Sequence, residues 1–275
     1  MSMAGFLSNG FAGKRILVIG GAQGHGFSIA EGCAQHGAEL VLIDHNPAIA
    51  DAAARLTANG HKNSFRTADV TVPATITNAL SQLACEGSID GLIYVPRARV
   101  RKPWFTITPD DWQSDLNTAL GGAFFCVQSA FPYLCRSTSG PFVITLSSIL
   151  SDFAGNQSAG YHSAKGGLES LTRYLAVELG PQKIRVNAVQ MGWIIKDTDL
   201  NRFNSKDNQQ YRDSAITSHP LRRIGYSEDV INSILFLGSD KAAFITGQVL
   251  RLDGGLTLQE HSHFLNRMML LTQPP

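Results

Sequence analysis

Short apolar runs recur along this chain, each pair separated by enough residues for one helix. That rhythm constrains the fold more than any other feature. The runs read RILVIG (15–20), ELVLID (39–44), IDGLIYV (89–95), PFVITLSS (141–148), IRVNAVQ (184–190) and QVLRLDGG (248–255), with a weaker NSFRTADV (63–70). Each is too short for a core helix, and none keeps the strict apolar–polar alternation of a half-exposed strand. Strands buried on both faces have this composition, and they belong to parallel sheets. Between them, residues 25–37, 47–59, 73–86, 109–135, 159–180 and 227–239 are Ala-rich or amphipathic stretches that suit crossover helices. Strands alternating with helices predict an α/β fold, a doubly wound parallel sheet with helices on both faces. No linker divides the chain, so residues 1–275 are expected to form a single domain.

Two stretches break the rhythm. Residues 194–226 are polar and irregular, long enough to be a lid or substrate loop. Residues 256–275 form a tail after the last strand, polar at first and then apolar ("NRMMLLTQPP"), and such an end is expected to dock on this chain or a partner.

Composition excludes several classes. A net charge of +1, with 16% charged and 44% hydrophobic residues, gives no general affinity for nucleic acid or an acidic membrane surface. No apolar run approaches the ~20 residues of a membrane helix, and "MSMAGFLSNGFAGKR" does not resemble a signal peptide. Cys33, Cys85, Cys126 and Cys135 form no C-x-x-C and no metal-like pairing with histidine. Reduced thiols in a cytoplasmic protein without a metal are the expectation.

The segment VIGGAQGHGFSIA (18–30) runs from the first strand through glycines into a helix. Glycines there let backbone approach a pyrophosphate, whose charge is favoured at the helix N-terminus. Asp44 ends the next strand, where a carboxylate can accept hydrogen bonds from an adenosine ribose. Further on, Tyr161 and Lys165 stand at i and i+4 and leave one face of a helix together. A phenol beside an ammonium is a plausible proton donor and acceptor, because the positive charge favours the phenolate.

The glycines fall as Gly20-x-x-x-Gly24-x-Gly26, which resembles the short-chain dehydrogenase/reductase family, and the resemblance then covers most of the chain. "ADV" (68–70) resembles the adenine-contacting turn of that family, Ser148 stands at the family's spacing before Tyr161, and "IRVNAVQMG" (184–192) resembles the segment leading to the nicotinamide. The resemblance implies a Rossmann-type fold and an alcohol–carbonyl interconversion on a small-molecule substrate. Tyr161 would be the general acid/base. Lys165 would hold the nicotinamide ribose and lower the tyrosine pKa, and Ser148 would orient the substrate oxygen. Gly20, Gln23, Gly24, His25, Gly26, Asp44, Asp69, Val70, Tyr161, Lys165, Gly192 and Ile194 would hold the cofactor. NAD(H) is expected over NADP(H), because Asp44 opposes a 2′-phosphate and Gln23 is not basic; a protonated His45 would soften that preference. The family also implies a homotetramer, or a dimer at least, and the small residues Ala164, Gly166 and Gly167 suit close helix packing between subunits.

Three motif positions depart from the family. Tyr94-Val95-Pro96-Arg97 replaces Asn-Asn-Ala-Gly, and Met191-Gly192 replaces Pro-Gly, with Lys196 where a threonine is expected and Thr198 two places later. The position of the family's catalytic asparagine, counted from Trp112, falls on Ala119; Asn117 could substitute only in a distorted helix. The basic run RARVRKPW (97–104) reads either as a solvated loop or as a site for an anionic substrate or cofactor phosphate on Arg97, Arg99, Arg101 or Lys102. Trp104, Ile149, Leu150, Phe153 and Trp193 are candidate pocket walls and lean towards a cyclic or bulky substrate. Two other readings stay open: a dinucleotide-binding sensor or partner subunit with little turnover, and another proton-coupled reaction, such as imine reduction or dehydration, on the same residues.

Overall fold

The computed structural model describes residues 10–84, 87–98 and 100–270; Cys85, Arg99 and the end of the predicted tail lie outside the described residues. The chain alternates through β1 (Arg15–Ile19), α1 (Gly24–Gln35), β2 (Glu39–Asp44), α2 (Ile49–Ala58), β3 (Asn63–Thr67), α3 (Pro73–Ala84) and β4 (Gly91–Tyr94). Next come α4 (Pro109–Leu116), α5 (Gly122–Leu134), β5 (Phe142–Ser148), α6 (Ala159–Leu179) and β6 (Arg185–Met191). After β6 follow α7 (Leu200–Phe203), α8 (Gln209–Ser218), α9 (Ser227–Gly238), β7 (Val249–Leu252) and α10 (His261–Leu270).

The strands form one parallel seven-stranded sheet in the order β3-β2-β1-β4-β5-β6-β7. Apolar side chains on its two faces belong to two cores. One packs beneath α3, α5 and α6, the other beneath α1, α2 and α9. β5 is buried along its whole length, as its sequence requires, and each of its large apolar side chains contributes about 1.5–3 kcal/mol by leaving water. The strand order reverses between β1 and β4. Crossovers diverge there and leave a crevice at the carboxyl ends of the strands, the place where such sheets bind ligands.

Two predicted elements differ in detail. Residues 109–135 read as one helix, but a π turn (Asn117–Gly121) separates α4 from α5 and shifts the register between them. Residues 194–226 are not irregular: α7 and α8 fold around a small core of Phe203, Ala215 and Ile224. That subdomain is tied at both ends, since Ile195 N–H donates to Gly225 O (2.9 Å) and Gly225 N–H to Trp193 O (3.1 Å). α10 packs against α8, so the described part of the tail docks on this chain.

Candidate active site

A cavity of about 1110 Å³ opens at the carboxyl edge of the sheet. Its first wall is the turn after β1. Gly20 has φ +87° and lies so close to Pro96 that an added Cβ would come within 3.1 Å of the proline Cγ. Gly24 also has positive φ, and a Cβ on Gly26 would fall on the Gly20 carbonyl oxygen. Only glycine fits this cradle. It delivers the start of α1 to the cavity, with no acidic side chain in the first turn to occupy its amides. A pyrophosphate fits such a site.

Asp44 is buried at the end of β2. Its carboxylate accepts from Ala22 N–H (3.0 Å) and Asn46 N–H (2.9 Å), with His45 Nδ1 at 3.2 Å. It still lines the cavity, beside Asp69 and Val70. Gln23, His25, Gly192 and Ile194 line it too, so every residue expected to hold a dinucleotide lies on this one cavity. His25 is half-buried, and its Nδ1, shielded from solvent, is unpartnered among the described residues. Burial first, then the Lys196 charge, pushes it down to about 4. Lys196 runs its aliphatic chain across Gly24, and neighbouring Asp197 accepts from Ser28 Oγ (2.5 Å), which fastens the start of the 194–226 segment onto α1.

The opposite wall comes from β5 and α6. Ser148 ends β5, and its Oγ accepts from Leu150 N–H (3.2 Å). Ser158 caps α6 by accepting from Tyr161 N–H (3.2 Å), while its own hydroxyl donates to buried Asp115 of α4. That double tie fixes where Tyr161 enters the site. One turn on, Lys165 is 3% exposed and donates to Leu146 O (2.6 Å), its Nζ 5.7 Å from the Tyr161 ring centre. Burial, and secondarily the Arg97 charge, push the Lys165 ammonium down to about 7, opposed by Glu169. Glu169 is itself buried and accepts from Ser147 Oγ (2.6 Å), Ser151 Oγ (2.7 Å) and Gln190 Nε2 (3.0 Å). Sequence reading missed this carboxylate; its i+4 spacing from Lys165 is the signal that could have found it.

Ile149, Leu150 and Trp193 line the cavity, but Trp104 and Phe153 do not. Trp104 is 81% exposed, edge-stacked on Phe105 outside the cavity, and Phe153 lies beneath the Arg251 guanidinium. Ser114, Thr118, Asn156 and Gln157 line it instead, so the walls are more polar than expected and the lean towards a bulky or cyclic substrate weakens. Of the basic run, Arg97 alone among the described residues lines the cavity; Arg101 is exposed, and Lys102 pairs with Asp111 (2.6 Å). Asn117 is exposed and accepts from Gln113 Nε2 (3.1 Å), so the helix distortion does not bring it into the site. Ala164 is fully buried, a Cβ on Gly167 would meet Leu120 at 2.9 Å, and one on Gly166 would lie 3.7 Å from Ser151 O. Ala164 and Gly167 thus pack closely against their own chain.

Turn, carboxylate and helix pair thus converge on one crevice of a doubly wound sheet, and the chain belongs to the short-chain dehydrogenase/reductase family. The family model described as Enoyl-(Acyl carrier protein) reductase matches residues 20–257. Among similar proteins, the 3-oxoacyl-[acyl-carrier-protein] reductase FabG of Chlamydia trachomatis is 31% identical over 92% of this chain and 100% of its own length. The L-rhamnose 1-dehydrogenase (NAD(P)(+)) of a Sphingomonas species is 31% identical over 89% of this chain and 96% of its own. The crystal structure of a gluconate 5-dehydrogenase from Burkholderia cenocepacia, in complex with NADP and tartrate, superposes with a TM-score of 0.82. It is 26% identical, covering 93% of this chain and all of that one. The protein is therefore an oxidoreductase of the alcohol–carbonyl kind, with an NAD(P) dinucleotide as its cofactor.

Proposed function

We propose that this enzyme uses NAD(H) to interconvert an alcohol and a carbonyl, with Ser148, Tyr161 and Lys165 as its catalytic residues. One observation carries the reading: these three side chains line the same cavity as the glycine cradle and Asp44. A bound nicotinamide dinucleotide supplies or takes the hydride. Ser148 Oγ hydrogen-bonds the substrate oxygen and orients it, and the Tyr161 hydroxyl gives or takes the proton at that oxygen. Lys165, when protonated, places a positive charge beside the phenol, and it would hold the nicotinamide ribose. Asp44 supports NAD(H), since its carboxylate lines the cavity and would meet a 2′-phosphate with like charge. A homo-oligomer, tetramer or dimer, is part of the same proposal.

Tyr161→Phe tests it, because the change removes the transferred proton and little volume. Turnover across a panel of ketones and alcohols is expected to vanish while the NADH Kd stays nearly unchanged. Retention of more than about a tenth of the parent rate, ~1.4 kcal/mol of barrier, overturns the catalytic assignment.

A further inference from the structure

Arg97 stands where the family carries a glycine, and nothing in the hydride transfer calls for a guanidinium there. It is half-buried in the cavity wall, its Cζ 5.7 Å from the Tyr161 ring centre. Its one hydrogen bond among the described residues is a long one, from Nη1 to Gln157 Oε1 at 3.5 Å. No carboxylate lies within ion-pair distance of it among those residues. A guanidinium carries five N–H donors in a planar fork, so most of its capacity is uncommitted.

The charges around it leave it uncompensated. Asp115 is an acid that feels Arg97, but it is buried, makes no ion pair with it, and already takes the Ser158 hydroxyl; burial, opposed by that hydrogen bond and by Arg97, pushes its carboxyl up. Lys165 and Lys196 line the same cavity, as do Asp44, tied to the glycine turn, and Asp69, and none of these carboxylates pairs with Arg97; His25 is driven neutral. A partly desolvated cation with no paired carboxylate is costly unless an anion arrives.

Two anions could meet it, the dinucleotide pyrophosphate or a group on the substrate. The positions of the cations separate them. Lys196 crosses the glycine cradle at Gly24, and its charge weighs more on His25 than that of Arg97 does. Arg97 instead stands over the Tyr161 ring, Cζ 5.7 Å from its centre, and reaches across to Gln157, in the loop between β5 and α6 that leads into Tyr161. Lys196 thus belongs to the cofactor side and Arg97 to the substrate side.

We propose that Arg97 is a specificity-determining residue that binds a carboxylate on the substrate, making this enzyme a dehydrogenase of small hydroxy or oxo acids. The proposal rests on the dehydrogenase reading above and names its substrate class. Two parallel N–H···O bonds from the fork would fix the acid a few bonds from the carbon whose oxygen meets Tyr161 and Ser148.

The test titrates sodium malonate, with neutral malonamide as control, calorimetrically into the protein alone and into the protein saturated with NADH. Malonate is expected to bind and malonamide to bind at least tenfold more weakly. Arg97→Gln should weaken malonate at least tenfold and change the NADH Kd less than threefold. Gln157→Glu is the second variant: it offers Arg97 an internal partner without altering the arginine, and should weaken malonate in the same direction. A hydroxy-acid panel set against the corresponding methyl esters should then favour the acids in the parent and lose that preference in Arg97→Gln. Equal malonate affinity in parent and both variants overturns the proposal. So does a variant that loses NADH affinity while keeping malonate, because the arginine would then serve the cofactor. Failure of the parent to bind NADH at all sinks the dehydrogenase reading separately, and the malonate arm on the protein alone still judges Arg97.

Discussion

Lys165 and Asp44 are the two residues whose charges this site most depends on. Burial first, then the Arg97 charge, brings the Lys165 ammonium from its ordinary 10.5 down to about 7. The unfolded chain then holds more protons between those values, so the residue's contribution to stability rises with pH from about 7 to 10.5. Its burial cost is complete below pH 7 and relieved above. The slope is about 1.4 kcal/mol per pH unit. Lys165→Met should therefore exceed the parent in stability at pH 7, with a margin that shrinks towards pH 9.5. Urea unfolding at several pH values measures this, and a constant margin would show that the ammonium is not desolvated as its burial implies. Asp44 makes a second prediction. NADPH should bind at least tenfold more weakly than NADH, ~1.4 kcal/mol, and Asp44→Ala should narrow the gap; equal parent affinities, or tighter NADPH, refute the NAD(H) assignment.

At the scale of elements, the strands were legible because burial on both faces leaves only apolar runs, and nothing about β5 or β6 needed tertiary information. The glycine cradle was legible for the same reason, since no side chain can stand at Gly26. Other features were not. Side chains in the irregular segment after β4 have no period, so Arg97 could not be told from Arg101 by sequence. Small residues signal close helix packing but not with which partner, and Ala164 and Gly167 proved to face their own chain. The π turn left no trace because its residues continue the helical pattern of α4. It matters, since Thr118 and Ser114 line the cavity while Ala119 is 1% exposed behind them. With Tyr161 as the proposed acid/base its proton must exchange with solvent, and those two hydroxyl-bearing residues on the same cavity would assist through water. Ser114→Ala with Thr118→Val should slow turnover several-fold and raise the solvent isotope effect, with NADH binding unchanged. Ala119→Asn should alter the rate less than twofold. A marked gain from Ala119→Asn, relieving a large isotope effect in the parent, would show instead that the parent relay is broken.

For the whole molecule, the question is what covers the outer surface of α5 and α6. Both helices lie on the same face of the sheet. Tyr174 and Val177 stand at i and i+3 on α6, 57% and 74% exposed, and Phe125 on α5 is 38% exposed. Apolar side chains presented outward from neighbouring helices are a cost in water that a second copy of the same surface can remove, and a two-fold axis makes one such patch self-complementary. A homo-oligomer joined through this face, as proposed, would also steady the wall of the cavity, because α6 carries Tyr161 and Lys165 in its first two turns. Val177→Asp places a charge on the most exposed of these apolar residues without touching the core, so the fold should persist while the assembly weakens. Sedimentation at micromolar concentration should give a dimer or tetramer for the parent and a smaller species for Val177→Asp, with turnover per chain reduced in the dissociated variant. A parent that sediments as a monomer, or a variant that assembles as well as the parent, would place the interface elsewhere or remove it.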